Sequence, residues 1–556
     1  MRSTNVHGMG SGFVLALCLM SLGCGETATK SEPDSQRAVA AKTRAPLMEA
    51  AAMADVSPPS ATTETYAHVA ENALLAVKDR PLSTFSIDVD TASYSNVRRF
   101  LQQRQLPPAD AVRIEECINY FTYNYPSPDG DVPFSVHAEI AGCPWNPAHR
   151  VAKIGIQGRR IAAQQRPGSN LVFLLDVSGS MNHPKKLPLL KESMRLLLEQ
   201  LGENDHIAIV VYAGAAGAVL PSTSATRKQV IHNAINNLHA NGSTNGALGI
   251  RLAYDIAVEN FIKEGVNRVI LCTDGDFNVG ITDPTQLTDL IEAKAKSGVF
   301  LSVLGFGMGN LKDATMERLA DRGNGNYAYI DSHAEAKKVL VDQLSGTLVT
   351  IAKDVKIQVE FNPAQVAGYR LIGYDNRRLA DRDFKDDTKD AGEIGAGHSV
   401  TALYEIVPVG MTLASQRSAE EPLKYQPATL TTADLVTEPP AVTASPFSDE
   451  LLTVSLRYKL PTSDTSLPLK FAVTDHGTAF AQATTDFRFA SAVALFAMLL
   501  KDSPYCGQSN MNLVLELADN ARGTDPNGYR AEFLDLARQA RALRSDQPSR
   551  RELPAD

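Results

Sequence analysis

Three short segments of this chain carry clustered oxygen donors: Asp176-Val-Ser178-Gly-Ser180, Gly242-Ser-Thr244-Asn245-Gly246 and Thr273-Asp274-Gly275. Asp, Ser and Thr side chains offer oxygen alone, which suits a hard divalent cation such as Mg2+ and disfavours zinc. A second reading is open for the first segment, as a solvated turn whose Asp and Ser cap the helix behind it. DxSxS by itself does not separate the two.

The elements around these segments bear on the choice. Leu171-Val-Phe-Leu-Leu175 is a continuous apolar run, as expected of a strand buried on both faces. Helical periodicity follows over 184–201, then a strand over 207–212 and helices over 226–238 and 248–262. Further along, strands over 269–273, 299–305 and 327–330 alternate with helices over 284–297, 311–321 and 334–348. This alternation predicts an α/β fold with a doubly wound, mostly parallel sheet over about 167–350. Ligands of such sheets bind at loops beyond the carboxyl ends of strands, and Asp176 and Asp274 each follow one directly.

Together the three segments resemble the metal-ion-dependent adhesion site of von Willebrand factor type A domains, written as DxSxS, a distant Thr and a distant Asp. That resemblance implies Asp176, Ser178, Ser180, Thr244 and Asp274 as ligands of Mg2+, with Mn2+ or Ca2+ as alternatives. Two carboxylates balance the charge of the ion, so an open coordination position attracts an outside carboxylate. The expected partner is therefore a protein presenting Asp or Glu. Asn245 and Asp276 read either as outer support for the ligands or as ordinary turn residues, Asn278 lies near them, and His183 reads as surface.

The flanks extend the resemblance. Phe85-Ser-Ile-Asp-Val-Asp-Thr-Ala-Ser-Tyr94, Arg113-Ile-Glu-Glu-Cys-Ile-Asn-Tyr-Phe121, Pro144-Trp145 and Pro526-Asn-Gly-Tyr-Arg-Ala-Glu-Phe533 are similar to segments of the bacterial YfbK-type proteins with a von Willebrand factor A domain. The similarity runs from about Pro81 to Ala542. It places an α+β N-terminal domain at 81–166 and a β-rich, sandwich-like domain with terminal helices at 351–545. Period-two stretches such as Val355–Phe361 and His398–Val407 support the strands. A short helix is expected over 64–77, and the apolar run Ala492–Leu500 is expected to be a buried helix. Asp88 and Asp90 read as a strand-end turn or an interdomain salt bridge rather than a metal pair.

At the amino terminus, Arg2, the apolar run Phe13–Leu22 and Gly23-Cys24 resemble a bacterial lipoprotein signal. In that family the cysteine is lipidated, which makes 1–24 a signal ending in lipidated Cys24. Ser21 and Leu22 depart from the usual order of a larger aliphatic followed by a small residue, and secretion or a retained anchor stay open. Gly25, in place of Asp, is similar to the pattern for sorting to an outer membrane. Residues 25–65 are rich in Ala, Ser, Thr, Pro and Glu and read as a disordered tether.

A formal charge of -9 over 556 residues gives no ground for nucleic-acid binding. Cys117 and Cys143 are the nearest candidates for a disulfide, and Cys272 reads as a small buried hydrophobe. GxSxG, HExxH, Walker and dinucleotide motifs are absent; Gly305-Phe-Gly-Met-Gly309 reads as a tight turn. No Lys or Arg clamp is evident beside Asp176 and Asp274, which argues against phosphoryl chemistry. The sequence thus points to a metal-dependent receptor or adaptor tethered to the bacterial cell envelope, not an enzyme. The alternative is an envelope assembly protein whose metal only stabilises it; a metal-dependent hydrolase is more remote.

Overall fold

The computed structural model describes residues 64–545 apart from 88–89, 131, 163–164, 214–215, 243–245, 276–283, 309–310, 390 and 412–448. The segments 1–24 and 25–63, with Cys24, and residues Asp88, Thr244, Asn245, Asp276 and Asn278 therefore lie outside the described residues.

Strand Ser169–Asp176 is the axis of the molecule, and every one of its residues is buried. It is flanked in parallel by His206–Tyr212 on one side and Val266–Thr273 on the other. Beyond Val266–Thr273 come Phe300–Phe306 and Tyr327–Ile330, also parallel. Ala216–Ser224 closes the opposite edge antiparallel, completing a six-stranded sheet. Side chains alternate across a strand, and the continuous apolar run serves both faces. Leu171, Phe173 and Leu175 pack with helices Leu187–Leu198 and Lys228–Asn236. Val172 and Leu174 pack with helices Gly246–Glu259, Pro284–Ala295 and Asp313–Arg322 on the other face. The sheet is doubly wound, as the alternation predicts.

The segments before and after this unit build two further antiparallel sheets together. Arg150–Gly158 lies between Phe134–Gly142 and Ser399–Pro408, and Val366–Ile372 and Leu75–Ala76 continue that sheet. Leu82–Ser86 pairs with Thr350–Phe361, which also pairs with Leu452–Lys459; Ser466–Val473 follows at the edge. The two sheets face each other across a shared core, where Phe361 stacks on Tyr369 at 4.0 Å and Phe134 meets Tyr458 edge-on at 4.7 Å. Helix Thr485–Leu500 is buried on nearly every side between the first of these sheets and helices Ile114–Asn119, Met511–Asp519 and Tyr529–Ser545. This is the buried helix read from the run Ala492–Leu500. Among the described residues no helix is long and apolar enough to cross a membrane.

Two expectations are corrected. Residues 64–77 are not helical: Leu75–Ala76 is a strand, and side-chain contacts hold the segment extended. Glu64 pairs with Arg99 at 2.8 Å, while Asn72 donates to the carbonyls of Leu371 and Gly373. These long-range partners outweigh a weak local helical preference. Cys117 and Cys143 are not bonded to each other; both are buried, as are Cys272 and Cys506, and none of the four forms a disulfide.

Candidate functional site

Asp176 ends the axial strand, and its carboxylate is fully buried. Three donors hold it: the Ser178 backbone N–H on Oδ1 at 2.9 Å, and the Tyr212 and Thr273 hydroxyls on Oδ2, each at 3.2 Å. Thr273 in turn accepts from the Gly275 N–H, which ties the two strand ends together. Removal from water pushes the Asp176 carboxyl up to about 6; the Asp274 charge adds to this, and hydrogen bonds from Ser178 and Thr273 oppose it.

The loop that follows turns the serines toward each other, with Ser178 Oγ and Ser180 Oγ 3.0 Å apart. Ser178 is buried and Ser180 exposed, so the pair leads from the interior to solvent. Backbone bonds from Gly179 N–H to Gly242 O and from Asn241 N–H to Val177 O lace this loop to the segment that runs toward Thr244. Thr244 itself lies outside the described residues, so three of the five expected ligands (Asp176, Ser178 and Ser180) are gathered on one loop. Asp274 follows the neighbouring strand and is fully buried.

Asp274 carries a feature the sequence reading missed. Lys186 Nζ donates to Asp274 Oδ2 at 2.8 Å, and both side chains are buried. The expectation of no cation beside the two carboxylates is thus corrected. Lys186 immediately precedes helix Leu187–Leu198, and its stem runs over Gly307. A Cβ at Gly307 would come within 2.3 Å of Lys186 Cε, and Gly307 has φ +84°. The available signal was the doublet Lys185-Lys186 a few residues past the serines, but a lysine doublet before a helix ordinarily reads as a solvated face.

Among the described residues no group of three or more His, Cys, Asp or Glu side chains is placed to hold a metal. The present cluster instead has two carboxylates and two hydroxyls, an oxygen-only set that fits a hard cation better than zinc. His183 is exposed, and its Nδ1 accepts from the Lys185 N–H. Asp90 accepts from the Tyr327 N–H at 2.8 Å and pairs with Arg377 at 3.3 Å, the interdomain salt bridge of the plainer reading.

A second polar cluster surrounds Arg98 of helix Ala92–Gln102. Its guanidinium bonds Asp331, Glu335, the Tyr120 hydroxyl and, at 3.4 Å, Glu532. Glu335 and Lys338 belong to the last helical segment of the α/β unit, which runs His333–Lys337, widens into a π-helical turn over Lys338–Asp342, and resumes at Leu344–Leu348. Lys338 Nζ donates to the Tyr120 carbonyl at 2.6 Å, and Tyr529 donates to Asp342 at 3.2 Å. The final helix is thereby bound to both flanks.

Comparison with known proteins bears on this architecture. The von Willebrand factor type A domain model matches residues 170–343, a von Willebrand factor model matches 60–153, and the C-terminal model of the uncharacterized protein YfbK matches 346–543. The uncharacterized protein YfbK of Escherichia coli (strain K12) is 43% identical over 481 residues, covering 85% of this chain and 80% of that protein. Inter-alpha-trypsin inhibitor heavy chain H3 of Homo sapiens is 28% identical over 260 residues, covering 43% of this chain and 28% of its own length. Among solved structures, proximal thread matrix protein 1 from the mussel byssus, with a zinc-occupied MIDAS motif, is 25% identical; the match covers 32% of this chain and 45% of that one at a TM-score of 0.27. The domain family supports a protein-interaction role and not an enzymatic one. This chain belongs to the YfbK family of bacterial proteins and carries a von Willebrand factor type A domain.

Proposed function

We propose that this chain is a metal-dependent receptor or adaptor of the bacterial cell envelope, anchored by lipid on Cys24. In this reading Asp176, Ser178, Ser180, Thr244 and Asp274 hold Mg2+, or Mn2+ or Ca2+ in its place. The observation that carries it is the convergence of buried Asp176 with the Ser178 and Ser180 hydroxyls beyond the carboxyl ends of the sheet, beside buried Asp274. A bound ion supplies an electrophilic position for an Asp or Glu of a partner protein.

The residues of the chain divide the work. The strand ends fix where Asp176 and Asp274 stand, and the Tyr212 and Thr273 hydroxyls orient the Asp176 carboxylate. Burial makes an uncompensated charge costly there, which favours occupation by a cation. Exposed Ser180 marks the side from which a partner can approach.

The test is a pull-down from native envelope extract with the purified chain in Mg2+, in EDTA, and as Asp274→Ala. A partner retained only by the intact protein in Mg2+ supports the reading. Equal retention in all three arms overturns it and moves binding to the flanking sheets. In that case, a melting temperature that still falls on chelation assigns the ion a stabilising role alone.

A further inference from the structure

We propose that Lys186 is an internal counter-cation that competes with the divalent ion for Asp274, so that the metal affinity of the site is set partly by this lysine. The inference rests on the metal reading above and concerns how that site is regulated.

Three observations carry it. The contact is direct: Nζ lies 2.8 Å from Oδ2 of a carboxylate proposed as a metal ligand. The contact is also buried, with side-chain exposures of 9% for Lys186 and 0% for Asp274, so water screens it weakly. Finally, the path is built for a lysine. Gly307 at the end of strand Phe300–Phe306 presents no side chain, and the methylenes of Lys186 fill the space that its Cβ would take.

An ammonium and a divalent cation drawing on one buried carboxylate repel each other across a few ångströms. Binding of the ion therefore requires Lys186 to swing away from Asp274 or to remain at a cost in affinity. Asp176 is held differently, by a backbone N–H and two hydroxyls that are neutral. The two carboxylates are thus unequal: Asp176 is oriented without a competing charge, and Asp274 is shared. Lys185, the neighbouring residue, is exposed and cannot substitute for Lys186.

Binding of Mn2+ to the complete chain, followed by electron paramagnetic resonance and competed with Mg2+, tests the inference. Lys186→Met keeps the length of the stem and removes its charge. It is expected to lower the Mn2+ Kd by roughly tenfold, the scale set by removing a like charge at this range. It should also enlarge the rise in melting temperature that Mn2+ produces, since the ion then meets no ammonium at Asp274. Lys186→Gln retains a hydrogen-bond donor and serves if the Met variant fails to fold. Unchanged or weaker Mn2+ binding in a folded variant overturns the competition. Failure of the wild-type chain and of both variants to bind Mn2+ overturns the metal reading itself.

Discussion

Arg98 and Asp331 face each other in a two-pronged contact, Nη2 to Oδ1 at 2.5 Å and Nε to Oδ2 at 2.9 Å, with both side chains almost wholly removed from water. Arg98 belongs to the N-terminal flank, and Asp331 directly follows strand Tyr327–Ile330 of the α/β unit. Removing one partner of a buried pair strands the other charge, at a cost of about 3–5 kcal/mol. Arg98→Ala should lose stability on that scale in denaturant unfolding. Asp331→Asn in the Arg98→Ala background should cost much less than it does alone, because the charge it removes is already unpaired.

Lys338 supplies a pH dependence of definite sign. Burial lowers its pKa to about 7, against attraction from Glu335. The unfolded chain holds that proton up to about 10.4, so between these values it binds more protons than the native state. The Lys338 contribution to stability therefore rises with pH from about 7 to about 10. Lys338→Met should remove this slope, read as the difference between wild-type and variant unfolding free energies at pH 7 and pH 9.5.

Loss of the site carboxylates should be visible without any partner. If Mg2+ binds the folded chain, a hundredfold excess over its Kd stabilises by about 2.7 kcal/mol. Asp176→Asn and Asp274→Asn should abolish the increment in melting temperature that Mg2+ gives, and EDTA should remove it from the wild type. Far-ultraviolet circular dichroism of both variants should match the wild type.

Gly307 gives a steric prediction. Its positive φ disfavours any side chain, and the new methyl group would collide with the Lys186 stem. Gly307→Ala should destabilise by about 1–3 kcal/mol in thermal or denaturant unfolding. Lys186→Ala in the same chain should relieve the steric part of that loss, leaving the strain of the backbone.

The central unit was legible because its strands are buried on two faces and therefore apolar without interruption, as at Leu171–Leu175. The antiparallel edge strand Ala216–Ser224 was not, since it holds Pro221 and exposed Ala218 and Val219. Edge strands tolerate such residues because one side needs no ladder partner. Helix Met511–Asp519 also went unread, although Asn510 caps it by accepting from the N–H groups of Asn512 and Leu513. At the site, Asp176, Ser178 and Ser180 share one loop and one motif. Lys186 reaches Asp274 across 88 residues, and no local pattern encodes such a meeting.

The pairing of Arg150–Gly158 with Ser399–Pro408 sets an order of events for a chain made from its amino terminus. Gln157, whose side chain bonds the Gly397 carbonyl, waits for a residue 240 positions further along. The whole α/β unit emerges in that interval and contains the strands of its own sheet. It can close before the strands that bracket it meet, while Arg150–Gly158 stays open on the side that Ser399–Pro408 later covers. An unpaired strand edge invites association with other chains, so the slow and hazardous stage of folding belongs to the sandwich. A chaperone that shields Phe134–Gly158 until Ser399–Pro408 arrives would raise the yield, whereas one acting on the α/β unit would not.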